Sequence, residues 1–124
     1  MSEPLNALEA AVFDAIARRA TMAEFLAVLT ASQIVIPSAT EVLADGSGLA
    51  PLTHMRGEVE LVVAFTDPAR IGDSLTAQAP YQLQVDAAWI VKHLALDLGL
   101  LLFAGPDHGL ILLPGQLAEL RATL

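Results

Sequence analysis

The chain has no cysteine. Disulfides, cysteine-based zinc sites and a cysteine nucleophile are therefore excluded. The same absence fits a reducing cytoplasm, which is the expected compartment. Aromatic residues make up only 5% of the chain, so Leu, Val, Ile and Ala must fill any core. Basic residues number 6 against 14 acidic ones, for a net charge of −8, and only Arg18 and Arg19 are adjacent. Binding to phosphates needs clustered Lys and Arg, so neither nucleic acid nor an anionic membrane is an expected partner. The opening residues, Met1-Ser2-Glu3-Pro4, contain no basic n-region and no apolar h-region, so no signal peptide is expected. The most apolar stretch, Leu94 to Leu113, is broken by Asp97, Gly99, Gly105, Pro106, Asp107, His108 and Gly109. It reads as buried strands, not as a spanning helix.

Catalytic signatures are also missing. Ser47 lies between Gly46 and Gly48, but its surroundings do not form the Gly-x-Ser-x-Gly nucleophile elbow. Neither phosphate-cradling glycine motif occurs. With 3 histidines and no cysteine, little is left to hold a transition metal. The expectation is no enzyme, no catalytic residue, no metal and no cofactor.

What is present points to a single domain over residues 1–124 with a dense aliphatic core, since 55% of the 124 residues are hydrophobic. That fraction is high for a small monomer, and it raises the expectation that a partner covers part of the surface. From Leu5 to Ala20, Leu5, Leu8, Val12 and Ile16 recur at helical spacing. Thr21 and Glu24 form a capping box for a second helix with Phe25, Leu26 and Leu29 inward. Gln33-Ile34-Val35-Ile36 reads as a strand ended by Pro37. Residues 38–50, with Gly46 and Gly48, read as a loop.

Leu49 to Met55 is the next strand, and Arg56-Gly57 offers a tight turn. Glu58 to Thr66 is the clearest strand. Its two faces become apolar toward the C-terminal end, which places it centrally in a sheet. Asp67 as N-cap and Pro68 at the first helical position start a short helix to about Leu75. Tyr81, Leu83 and Val85 alternate with Gln82 and Gln84 in a strand with one wet face. Asp86 caps a helix to about Leu96. Leu100–Ala104 and Leu110–Leu113 are strands joined by the loop Gly105-Pro106-Asp107-His108-Gly109. Pro114 begins a last helix containing Leu117, Leu120 and Leu124. The fold class is α+β, with a mixed, largely antiparallel sheet of about five or six strands and helices packed on it.

Several pieces occur in a characteristic order. They are Leu8-Glu9-Ala10-Ala11, Phe25-Leu26-x-x-Leu29, Ile34-Val35-Ile36-Pro37, Leu52-Thr53, Gly57, Val63-Ala64-Phe65-Thr66-Asp67-x-x-Arg70, Leu98-Gly99-Leu100-Leu101-Leu102, Gly105, and the helix holding Leu117 and Leu120. In these the chain resembles the SseB-like family, specifically its N-terminal domain, from about Leu5 to Leu120. Phe65-Thr66-Asp67 with Arg70 is the most specific element. Family members tend to carry Asn-Pro-Gly after the Leu-Gly strand, whereas this chain reads Phe103-Ala104-Gly105-Pro106. The resemblance implies a bacterial cytoplasmic setting. It also brings the family's label of type III secretion and a link to serine sensitivity and a rhodanese-like enzyme.

The candidate binding residues are Thr66, Asp67, Arg70, His54 and Arg56. Asp67 and Arg70 flank a helix start, where a cap and a small anion- or partner-binding patch are both chemically sensible. His54, Arg56, Glu58 and Glu60 flank the tight turn. There His54 can meet Glu60 across the hairpin as a base with its orienting carboxylate, or simply as a solvated tip. Trp89 and His93 share one helix side. The expected function is a non-enzymatic protein-interaction or regulatory module, with a second copy of itself among the candidate partners. The alternative is a small-molecule binder or weak enzyme with a pocket near Thr66, Asp67 and Arg70, joined by Tyr81.

Overall fold

The computed structural model describes residues 4–43, 47–105 and 108–124. Gly46 of the expected loop, and Pro106 and Asp107 of the expected hairpin loop, lie outside them. The first helix, α1 (Ala7–Ile16), starts at Asn6, whose Oδ1 accepts the Glu9 N–H. It ends at Ile16, the last residue of the apolar spacing and four residues short of Ala20. Arg18 takes φ 60, left-handed backbone that a right-handed ladder cannot pass through. Leu8 and Val12 are buried, while Leu5 and Ile16 remain exposed, so the expected stripe contributes only its middle pair to the core.

Helix α2 (Met22–Thr30) opens with the expected capping box, in which Thr21 and Glu24 satisfy each other's backbone N–H. β1 (Gln33–Ser38) is buried from Ile34 onward. β2 (Thr53–Arg56) is shorter than expected and starts later, and all its residues are exposed. The turn after it is Gly57-Glu58, because Arg56 pairs with Val59. Gly57 takes φ 62, the positive angle that the first central position of such a hairpin turn requires. β3 (Val59–Phe65) follows.

The helix expected from Pro68 to Leu75 is two pieces. A single 3-10 turn, Pro68–Arg70, ends where Ile71 becomes extended, and α3 (Asp73–Gln78) starts afresh after Gly72. β4 (Tyr81–Asp86) leads into α4 (Ala87–His93). Asp86 holds the N-cap position of α4 but makes no side-chain cap bond, and the helix stops three residues before Leu96. Trp89 stacks on His93 at 4.5 Å along its side. β5 (Leu98–Phe103), β6 (Gly109–Leu112) and α5 (Pro114–Thr123) complete the chain.

The strands form one sheet in the order β4-β1-β3-β5-β6, with β2 also on β3. Only β3 and β5 run parallel, and the other pairs are antiparallel. β3 is central, as its two apolar faces predict. Ile34, Ile36, Val62, Ala64, Leu100 and Leu102 form one core with Leu8, Phe25, Leu29, Ile90 and Leu117 from the helices. Each such aliphatic side chain contributes about 1.5–3 kcal/mol by leaving water. Strand alternation sends Leu61, Val63, Phe65 and Leu101 to the sheet's other side, where Phe65 stacks on Phe103 at 5.5 Å. Gly99 permits close packing there, since a Cβ on it would lie 2.5 Å from Leu61 Cδ2 and 2.7 Å from the Leu112 carbonyl oxygen. Among the described residues, no helix is long and apolar enough to cross a membrane.

Candidate functional site

The Thr66-Asp67-Arg70 phrase is built around a residue that the sequence reading placed elsewhere. Glu9 lies one turn into α1, between Leu8 and Val12, and its side chain is fully buried. A bare carboxylate cannot remain there, because desolvating an unpaired charge costs several kcal/mol. Four donors meet it. Glu9 Oε1 accepts from the Leu5 N–H at 2.9 Å and from Arg70 Nη2 at 2.8 Å. Oε2 accepts from Thr66 Oγ1 at 2.6 Å and from Arg70 Nε at 2.8 Å. The guanidinium thus grips the carboxylate side-on through two parallel bonds, the strongest form of such a pair.

Asn6 ties the same corner together. Its Oδ1 caps α1, and its Nδ2 donates to the Thr66 carbonyl at 3.0 Å. Burial pushes the Glu9 carboxyl up. The Arg70 and Thr66 bonds, the Leu5 N–H and the Arg70 charge outweigh it and hold the group at about 2. The Glu9 bonds in turn raise the Arg70 guanidinium above its usual value. At neutral pH Glu9 therefore holds a full negative charge and no proton to give. The guanidinium edge that a bound anion would use is already committed. The arrangement pins the start of α1 to the end of β3.

Asp67 behaves as the sequence suggests. Its Oδ1 accepts the Ala69 N–H at 2.9 Å, capping the 3-10 turn. Replacing Asp67 with Ala should cost about 1 kcal/mol in urea unfolding, the usual value of a lost cap. A cost as large as that of losing Arg70 would mean that Asp67 also supports the buried pair.

The structure does not bring His54 and Arg56 to this place. His54 pairs with Leu61, five residues before Thr66 on β3, or roughly 17 Å away along the strand. His54 and Glu60 do not meet, because Glu60 pairs with Met55 and points to the opposite side of the sheet. His54 instead borders a hollow of about 310 Å3 on the side of the sheet away from the main core. Leu52, Val63, Leu75, Leu101 and Phe103 line it together with the polar Thr53 and Gln78. Arg56 is exposed at the end of β2.

A second, polar cavity of about 320 Å3 adjoins Thr66 and Asp67 and is lined by Asn6, Gln33 and Gln84 among others. Arg70 and Tyr81 are not in its lining. Tyr81 pairs with Ser38 at the far end of β4. A third cavity, of about 390 Å3, lies on the outer side of α1, where Phe13 meets His108 edge-on at 4.8 Å. Among the described residues, no group of three acidic or histidine side chains is placed to hold a metal ion.

Glu9 was the residue missed. Asn6-Ala7-Leu8-Glu9 has the spacing of a capping box, and Glu9 sits within the apolar stripe four residues after Leu5. A carboxylate inside such a stripe signals a buried cation elsewhere in the chain. Comparison with protein-family models, with curated proteins and with solved structures gives no match to this chain.

Proposed function

We propose that the chain is a non-enzymatic protein-interaction or regulatory module of the bacterial cytoplasm, similar to the N-terminal domain of SseB-like proteins. The observation that carries this reading is the hollow between β2 and α3. Its lining joins the apolar Leu52, Val63, Leu75, Leu101 and Phe103 to the exposed polar Thr53, His54 and Gln78, and it lies beside a strand whose residues are all exposed. An apolar centre within a polar rim is how protein interfaces are organised. At about 310 Å3, the hollow suits one or two apolar side chains of a partner segment. The ionisable cluster at Glu9 and Arg70 supports the same reading, since its groups are engaged with each other.

The test is His54→Glu. His54 is exposed, so the melting temperature should stay within about 2 °C of wild type. Capture of the protein partner that the wild-type chain retains from bacterial extract should fall at least tenfold. Equal capture by both proteins would remove the hollow from the interface. A second reading, a small polar ligand, is favoured by the amide-lined cavity beside Thr66 and Asp67. A metabolite that raises the melting temperature of the wild type but not of a Gln84→Ala variant would support it.

A further inference from the structure

Among the described residues, β4 ends the sheet and pairs only with β1, through six consecutive residues without a bulge, so its outer edge is open. The chemistry of that edge selects what covers it. The Ala87 N–H donates to the Ser32 carbonyl across the pair Gln33 and Asp86. In an antiparallel ladder that pattern marks a pair whose own N–H and C=O groups point outward. Alternation then gives Val85 and Leu83 the mutual bonds with Ile34 and Ile36. The N–H and C=O groups of Gln82 and Gln84 are left facing away from the sheet.

Proteins guard such an edge with lysines, prolines, bulges or very short strands. Tyr81–Asp86 has no basic residue and no proline, whereas the opposite edge strand, β6, has only four residues.

We propose that two copies of this chain join edge to edge through β4, antiparallel, about a two-fold axis passing through Leu83. In that register Gln82 faces the partner's Gln84 and Gln84 faces the partner's Gln82. Four backbone hydrogen bonds form, and they use only the groups that point outward. Tyr81 stands across from the partner's Val85, an aromatic against a β-branched residue, a favourable cross-strand pair. Tyr81, Leu83 and Val85 share one side of the strand, so the pairing continues their apolar row across the axis.

The ladder also stops cleanly. Its next position would set Pro80 against the partner's Asp86. Proline has no N–H to give, and Asp86, as the N-cap of α4, has its carbonyl engaged in the helix. Neither group is left asking for what the other lacks.

Charge agrees with this choice. Each copy carries −8, so most faces of two copies repel, but residues 74–85 contain no charged side chain. The two Asp86 carboxylates would lie about 20 Å apart, at opposite ends of the paired strands and beyond the screening length at physiological salt. The interface extends the interaction-module reading, but it involves a different part of the molecule from the hollow at His54. Failure of one therefore leaves the other standing.

Sedimentation equilibrium of the full chain, from micromolar to millimolar concentration, should show a mass rising toward twice that of the monomer. Gln84→Pro removes an N–H that makes no bond inside the chain, and edge positions of this kind tolerate proline. The variant should keep its circular dichroism and dimerise at least tenfold more weakly. Because the chain has no cysteine, Leu83→Cys provides a clean second test that does not depend on that fold. Two such residues on the axis would have Cα atoms about 4.5 Å apart, within disulfide reach, and should cross-link on mild oxidation. Gln84→Cys places them diagonally, at about 7–8 Å, and should cross-link far more slowly. A wild-type monomer at every concentration, a dimer indifferent to Gln84→Pro, or faster cross-linking at 84 than at 83 would each overturn the proposal.

Discussion

Replacing Arg70 with alanine should lower the free energy of unfolding by about 3–5 kcal/mol, the cost of leaving a buried carboxylate without its cation. For a chain of this length, that corresponds to a fall in melting temperature on the order of 10–20 °C. The size follows from where Glu9 sits. Its side chain is fully buried, and Arg70, at 18% exposure, closes an ion pair on it at 2.8 Å. Water has little room to replace the guanidinium beside a carboxylate that is fully buried. Arg70→Lys should recover only part of the loss, because an ammonium cannot make two parallel bonds to one carboxylate. Replacing both partners with leucine should cost less than Arg70→Ala alone, since no charge then remains to be desolvated. Guanidinium unfolding of the three variants checks this order. A loss below about 1 kcal/mol for Arg70→Ala would show the pair to be solvated, like an ordinary surface bridge.

The strands and the α2 cap were legible in the sequence because the signals that specify them are local. Ile34-Val35-Ile36 and Val59 to Phe65 carry their own period, and the Thr21–Glu24 box closes within one turn. Helix ends were less legible, because Arg18 and Ile71 leave the helical region through backbone conformations that their residue types do not announce.

The hairpin at Gly57 shows how little separates a right contact from a wrong one. With Arg56 against Val59, opposing residues have numbers that sum to an odd value. Two even-numbered residues such as His54 and Glu60 can then never stand opposite, and they occupy different sides of the sheet. The site was the least legible part. Arg70 and Glu9 are 61 residues apart, and only the folded sheet brings them together. Thr66 and Arg70 were visible as a phrase, but their partner was hidden in a helix stripe read from its leucines. The sequence held a clue in the polarity of Glu9, which a helix buried along that stripe must neutralise.

The same carboxylate should dominate the acid limb of stability. In the unfolded chain Glu9 titrates near its ordinary value of 4.5, and in the folded chain at about 2. Between those values the unfolded state holds the extra proton, so stability rises with pH across that window. The contribution is complete above about 4.5, is lost as pH falls toward 2, and amounts to about 3 kcal/mol. The chain has 13 other acidic residues, so the wild-type curve alone does not isolate Glu9. The difference from Glu9→Gln does. Glutamine keeps the shape and one acceptor oxygen but cannot ionise, and it leaves Arg70 without its counter-charge at every pH. Urea unfolding at intervals from pH 7 to pH 2 should show wild type ahead of the variant by its widest margin at neutral pH. The gap should begin to close below about 4.5 and be largely gone near 2. It should change little with salt, because a desolvated pair is poorly screened. A gap that stayed constant across the whole range would mean that Glu9 contributes through shape and hydrogen bonding alone, and that its charge is not what Arg70 recognises.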